Sequence, residues 1–264
     1  MPKNFDSDYF INKEIKEKSE EEKIKKLEGI IEKNFLQLKE KIPINKELRL
    51  DMMSFSEIYS EKEILKDLEN AKKIQNKNCF PEEERLKRTG EQLEILKTII
   101  FNKFLPEKFI TVRASLYDDI KNGVDNIILD KETGKIFCAL DEVGEMFGDK
   151  FKEKRNRVLK KDEYGGVKLK YGLEVDKNKK IILVIEKVSH IPIFYLSLSK
   201  KMIDEGIENI ISFEEKTKTE ENLYKYFITL IKQQLKEGDF SSLKEQIETL
   251  DKFLEKEINS FEKK

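Results

Sequence analysis

Asp125 and Asp141 are the residues of this chain whose type and setting point most directly to chemistry. Between them run two short apolar stretches, Asn126 to Leu129 and Ile136 to Leu140, separated by the turn Lys131-Glu132-Thr133-Gly134. Two such stretches joined by a Gly-containing loop read as a β-hairpin. Asp125 opens the first and Asp141 closes the second. Because side chains alternate faces along a strand, one aspartate on each strand can point the same way. Two converging carboxylates form a hard, oxygen-rich site suited to Mg²⁺ or Mn²⁺. Upstream, Glu91 and Glu94 fall on one side of a predicted helix, which makes Glu94 a candidate third metal ligand. Asp118 and Asp119, in the acidic stretch Tyr117 to Gly123, are expected to bond the loop backbone or to stand behind the metal ligands.

Cationic partners are available nearby. Residues 148–161 carry seven basic side chains, among them Lys152, Lys154, Arg155 and Arg157, against Asp149 and Glu153. Such a segment can hold phosphates by counterion release. After Gly165-Gly166, the stretch Val167 to Leu173 alternates and places Lys168 and Lys170 on one face. The single histidine, His190, precedes Ile191-Pro192 and reads as structural, and the two cysteines have no metal-binding spacing.

These side chains need a frame. Ser19 to Glu22 has the form of a capping box and opens an amphipathic helix through Ile24, Leu27, Ile31 and Leu38. Residues 1–11 before it read as a tail. A second helix is predicted from Ser60, and a third from Pro81 to Pro106, with Glu82 to Glu84 suiting its N-terminal dipole and Gly90 marking a break or a close packing point. Phe109 to Val112 is strand-like, as is Ile181 to Ile185. Ile191 to Leu198 is apolar throughout and reads as a buried central strand. Ser199 caps a further helix, and two amphipathic helices close the chain. The last has coiled-coil-like spacing and could pack on the N-terminal helices or form the seam of a homodimer. The expected class is α/β (α+β): a mixed central sheet flanked by helices, with a helical extension over 1–80, the core over 81–212 and a helical hairpin over 213–264.

At 264 residues, 38% hydrophobic and 40% charged, the chain can bury a core beneath a densely ionic surface. Its 52 basic and 53 acidic residues nearly cancel, so any electrostatic partner site must be local. No stretch is apolar enough for a membrane span, no secretory leader is apparent, and the sparse cysteines fit a reducing compartment. A cytoplasmic location is expected.

A helix carrying an acid, an Asp entering one strand, a turn, and an acid near the end of the next strand together resemble the PD-(D/E)xK, restriction-endonuclease-like superfamily. The resemblance covers about Glu91 to Ile210. It implies a restriction-endonuclease-like sheet in which Asp125 and Asp141 bind Mg²⁺ or Mn²⁺ with Glu94, to hydrolyse phosphodiester bonds in nucleic acid, DNA in the first instance. The family places a lysine two residues beyond the second acid, to position the attacking water or stabilise the phosphate. Here that position is Val143. Lys168 and Lys170, on a strand expected to pair beside the hairpin, are the first candidates to replace it, with Lys152 behind them. The alternatives are an inactive nuclease fold that binds nucleic acid and a scaffold whose helical arms carry the function.

Overall fold

The computed structural model describes residues 7–76, 82–133, 135–143, 147–175, 178, 181–183, 188–210, 212 and 215–262. In chain order the helices are α1 (Ser7–Leu38), α2 (Glu61–Asn76), α3 (Thr89–Phe104), α4 (Leu116–Asn122), α5 (Asp149–Glu163), α6 (Lys200–Asn209), α7 (Lys218–Glu237) and α8 (Lys244–Glu262). The strands are β1 (Phe109–Arg113), β2 (Asn126–Asp130), β3 (Ile136–Val143), β4 (Val167–Leu169), β5 (Leu173–Val175), β6 (Ile181–Leu183), β7 (Val188–Ile191) and β8 (Ile193–Ser197).

Four strands form the central sheet in the order β1-β2-β3-β8. The first three are antiparallel neighbours, and β8 lies parallel to β3. A parallel neighbour needs a crossover, and the chain between β3 and β8 provides it with α5 and two small two-stranded sheets, β4 with β7 and β5 with β6. The predicted Asp125–Asp141 hairpin is present as β2–β3, with Asn126 opposite Leu140. Its turn is held by Asp130 Oδ1, which accepts from the Glu132 amide at 2.8 Å. Strand β8 is buried at every position, as its unbroken apolar run predicts.

Alternation along β3 distributes two acids to opposite faces. Glu142 meets α3, through Lys97, and Asp141 meets α5, through Lys154. Side chains from α1, α3, the sheet, α6, α7 and α8 join one continuous apolar cluster, so the N-terminal, central and C-terminal stretches share a core. The stripe on α8 is used within the chain: Leu250 and Leu254 are buried, and Phe253 packs on Phe109 and Phe137.

Several local expectations shift. The first helix starts at Ser7, well before the Ser19 capping box. The helix predicted from Pro81 is a 3-10 segment over Glu82–Lys87 followed by α3, which begins at Thr89 with Gly90 in its first turn; Pro81 lies outside the described residues. Asp118 and Asp119 belong to α4, whose N-terminus is capped by the Ser115 hydroxyl. That helix ends on Gly123, at φ +60°, the left-handed region glycine adopts without strain. At the Gly165-Gly166 turn a Cβ on Gly166 would stand 2.3 Å from the Ile191 carbonyl oxygen, so glycine is required there. The largest shift concerns β4. It pairs with β7 and not with the β2–β3 hairpin, so Lys168 and Lys170 are carried away from the aspartates. No described helix is long and apolar enough to cross a membrane.

Candidate metal and phosphate site

Asp125 lies at the mouth of the hairpin, where its amide donates to the Leu140 carbonyl at 2.9 Å. Its carboxylate Oδ2 accepts from the Glu142 amide at 2.5 Å, which locks the side chain across the strand ends. Burial alone would raise its pKa. The ammonium groups of Lys154 and Lys97, with the Glu142 amide, outweigh that and hold Asp125 down to about 2.

Asp141 is adjacent, with only 2% of its surface exposed. Burial and the negative charge of Asp125 push its carboxyl up to about 7. Lys154 on α5 opposes this: Nζ is 2.7 Å from Asp141 Oδ1 and also donates to the Glu142 carbonyl. No donor reaches the other oxygen, Asp141 Oδ2, and Arg157 Nη2 stands 4.0 Å from it. Two acids this close, with one oxygen undonated, are arranged for a shared proton or a shared cation.

On the α3 side the acids continue. One oxygen each from Glu94, Asp119 and Asp125 lies within 4.8 Å of the others, so this buried acidic cluster could hold a metal ion. All donors are carboxylate oxygens, the set that suits Mg²⁺ or Mn²⁺. The cluster is already laced with cations. Arg49 Nη2 lies 2.8 Å from Glu94 Oε2, and its Nη1 lies 2.8 Å from Asp119 Oδ2. Arg113, fully buried at the end of β1, pairs with Glu94 and stands 2.7 Å from Glu91 Oε1. Lys97 Nζ stands 2.5 Å from Glu142 Oε1, close but not aligned as a hydrogen bond. Asp125 has no ammonium or guanidinium within 4 Å among the described residues. Burial, Glu94 and Asp125 outweigh Arg49 and Arg113 at Asp119 and raise its carboxyl to about 7. Glu142 is raised well above the ordinary range by burial and by the same two acids.

The sequence-predicted residues therefore divide. Glu94, Asp119 and Asp125 converge, and Asp141, held by Lys154, neighbours Asp125. Asp118 does not join them: its carboxylate accepts from Ser115 Oγ, Asn122 Nδ2 and the amides of Lys170 and Tyr171, fastening α4 to the chain after β4. Lys170 is held elsewhere, 2.5 Å from Glu63 and 2.6 Å from Asp67, with the rings of Tyr59, Tyr117 and Tyr171 around its ammonium. Lys168 points to solvent from β4. On α5, Arg155 pairs with Glu237 at 2.8 Å, Lys152 is 3.8 Å from Asp149, and Arg157 is exposed.

The residues missed from sequence are Arg49, Lys97, Arg113 and Glu142. Lys97 was legible: Glu91, Glu94 and Lys97 recur every third position, so they share a face of α3. Arg49 arrives from the loop after α1 through a bridge beside Arg113, and nothing local announces it. Comparison with protein-family models, with curated proteins and with solved structures gives no match to this chain.

Proposed function

We propose that this protein is a metal-dependent phosphodiesterase of the restriction-endonuclease-like kind, acting on nucleic acid. The observation that carries the reading is the meeting of Asp125, just before β2, with Asp141 on the adjacent strand β3, with Lys154 Nζ 2.7 Å from Asp141 Oδ1. The helix acid Glu94 and the mixed sheet between helices support it. Val143, at the expected lysine position, is buried in the core, and Lys154 supplies an ammonium from α5 in its place.

In this reading Asp125 and Asp141 would hold Mg²⁺ or Mn²⁺, with Glu94 and Asp119 behind them. Bound there, such an ion supplies Lewis acidity and a more acidic water. Lys154 favours the charged form of Asp141 against burial and the Asp125 charge, and offers an ammonium to a non-bridging phosphate oxygen. Lys97 keeps Glu142 in place, and the Glu142 amide fixes the orientation of Asp125.

A second reading rests on the cations themselves. Arg49, Lys97, Arg113 and Lys154 already balance most of the buried negative charge, as in a structural ion network on an inactive nuclease fold. One experiment separates the two. Wild-type protein is incubated with plasmid, single-stranded DNA and RNA in Mg²⁺ or Mn²⁺, and metal binding is followed by calorimetry. The expected result is cleavage that Asp125→Asn and Asp141→Asn each reduce by about 100-fold or more, with weakened metal binding, and that Lys154→Met reduces by about 100-fold. Cleavage equal to wild type in Asp125→Asn and Asp141→Asn sinks the first reading. Wild-type protein that binds nucleic acid but neither binds metal nor cuts favours the second.

A further inference from the structure

The two most exposed large apolar side chains among the described residues are Phe147 and Tyr164, each 81% exposed. They flank the same helix, α5, which carries Lys154 into the acid cluster. A single exposed aromatic needs no explanation, but two at the ends of one basic helix do.

Tyr164 borders an open groove of about 650 Å³ that is lined by Glu153, Asn156, Arg157, Lys160, Lys161 and Gly166. Positions 153, 156, 157, 160, 161 and 164 recur at helical spacing, so they form one face. The cations of α5 are used very differently along it. Lys154 and Arg155 are committed to Asp141 and Glu237. Lys161 donates to the carbonyls of Asn122 and Gly123, closing the C-terminus of α4. Lys160 makes no ion pair among the described residues, and Arg157 reaches only Asp141 Oδ2, at 4.0 Å. The groove thus offers two largely uncommitted cations, one acid (Glu153) and an open aromatic ring, and one of those cations, Arg157, stands 4.0 Å from the undonated oxygen of Asp141.

We infer that this face of α5 is a track for single-stranded nucleic acid that leads into the Asp125–Asp141 site, with a base stacked on Tyr164 and phosphates on Arg157 and Lys160. The inference rests on the reading of that site as the place where phosphodiester is cut. The ring selects for a single strand, because an exposed aromatic can stack on a base only when the base is unpaired at that step. Cations spaced along a helix face follow a backbone irrespective of sequence.

The test is fluorescence anisotropy with labelled oligo(dT), oligo(U) and a duplex, in EDTA so that nothing is cut, with anionic lipid vesicles as a rival ligand. Wild type is expected to bind the single strands. Tyr164→Ala should weaken that binding about 10-fold while Tyr164→Phe preserves it, and duplex binding should not change. Arg157→Gln with Lys160→Gln should lower the salt dependence of log K by about 1.4, at about 0.7 per charge. The oligo(dT) and oligo(U) arms distinguish DNA from RNA. The track is refuted by single-strand binding that ignores Tyr164→Ala, by equal sensitivity of the duplex, or by binding to vesicles only. Tyr164-dependent binding without cleavage under any metal would sink the metal-site reading and leave the track standing. Cleavage with Tyr164-independent binding would do the reverse.

Discussion

Asp162, near the end of α5, is a buried acid outside the candidate site. Its Oδ1 accepts from the Ile193 amide at 2.9 Å, while no donor reaches Oδ2. Burial pushes the carboxyl up to about 8, and neither the Ile193 amide nor Lys161 overcomes it. The folded pKa therefore lies above the ordinary value of 3.8. Between about pH 4 and 8 the unfolded chain has lost this proton and the folded chain keeps it, so stability must fall as pH rises through that window. Asp119 and Asp141, raised to about 7, add slopes of the same sign. Asp162→Asn keeps an acceptor for Ile193 and carries no charge. We expect it to flatten, without abolishing, the decline in urea midpoint between pH 5 and pH 8.5. An unchanged slope would mean that Asp162 is already ionised in the fold.

Among the elements, α4 shows best what the sequence discloses and what it withholds. The hairpin below it was legible because period-two alternation and a glycine turn are local signals. The class of fold was legible too, since helical and strand periods alternate along the chain. The helix itself looks like a turn in the sequence, because seven residues with two adjacent aspartates are too short to display an apolar stripe. Whether Asp118 or Asp119 faces the site depends on how α4 rolls onto the chain after β4, which is a tertiary fact. Lys170 was misplaced for the same reason: β4 chose β7 as its partner, and strand choice is not encoded in the strand's own alternation. The consequence is testable. Asp118→Ala leaves the Lys170 and Tyr171 amides without their acceptor at a buried seam, at about 1–3 kcal/mol for each unmade bond. We expect a loss of about 3 kcal/mol in chemical denaturation. Nucleic-acid cleavage per folded molecule should stay within a fewfold of wild type, whereas Asp119→Ala should lower metal affinity with a smaller loss of stability. The reverse ordering would show that α4 presents Asp118, not Asp119, to the site.

At the scale of the whole molecule, the question is whether the α7–α8 hairpin is an appendage or part of the unit that holds the site. Apolar contacts favour the second. Phe101 and Phe104 of α3 pack on Tyr224 and Phe227 of α7, and Phe253 of α8 packs on the sheet through Phe109 of β1 and Phe137 of β3. A buried ion pair reinforces the joint. Lys103 of α3 and Glu220 of α7 are both fully enclosed; Lys103 also donates to the Ser212 carbonyl at 2.6 Å, and Glu220 accepts from the Thr217 amide at 2.8 Å. Breaking one side of such a pair costs about 3–5 kcal/mol, because an uncompensated charge is left in the core, whereas replacing both sides costs far less. Because α3 also carries Glu94 and Lys97, unfolding that starts at this joint should take the candidate site with it. We expect Glu220→Gln to lower the unfolding free energy by that amount in one transition, with an unchanged denaturant slope. The double variant Lys103→Met with Glu220→Gln should recover most of the loss. Metal affinity should remain at the wild-type value in both while they stay folded. A separate early phase that alone responds to Glu220→Gln would instead make the hairpin an independent unit, leaving α3, the sheet and α5 to hold the acids by themselves.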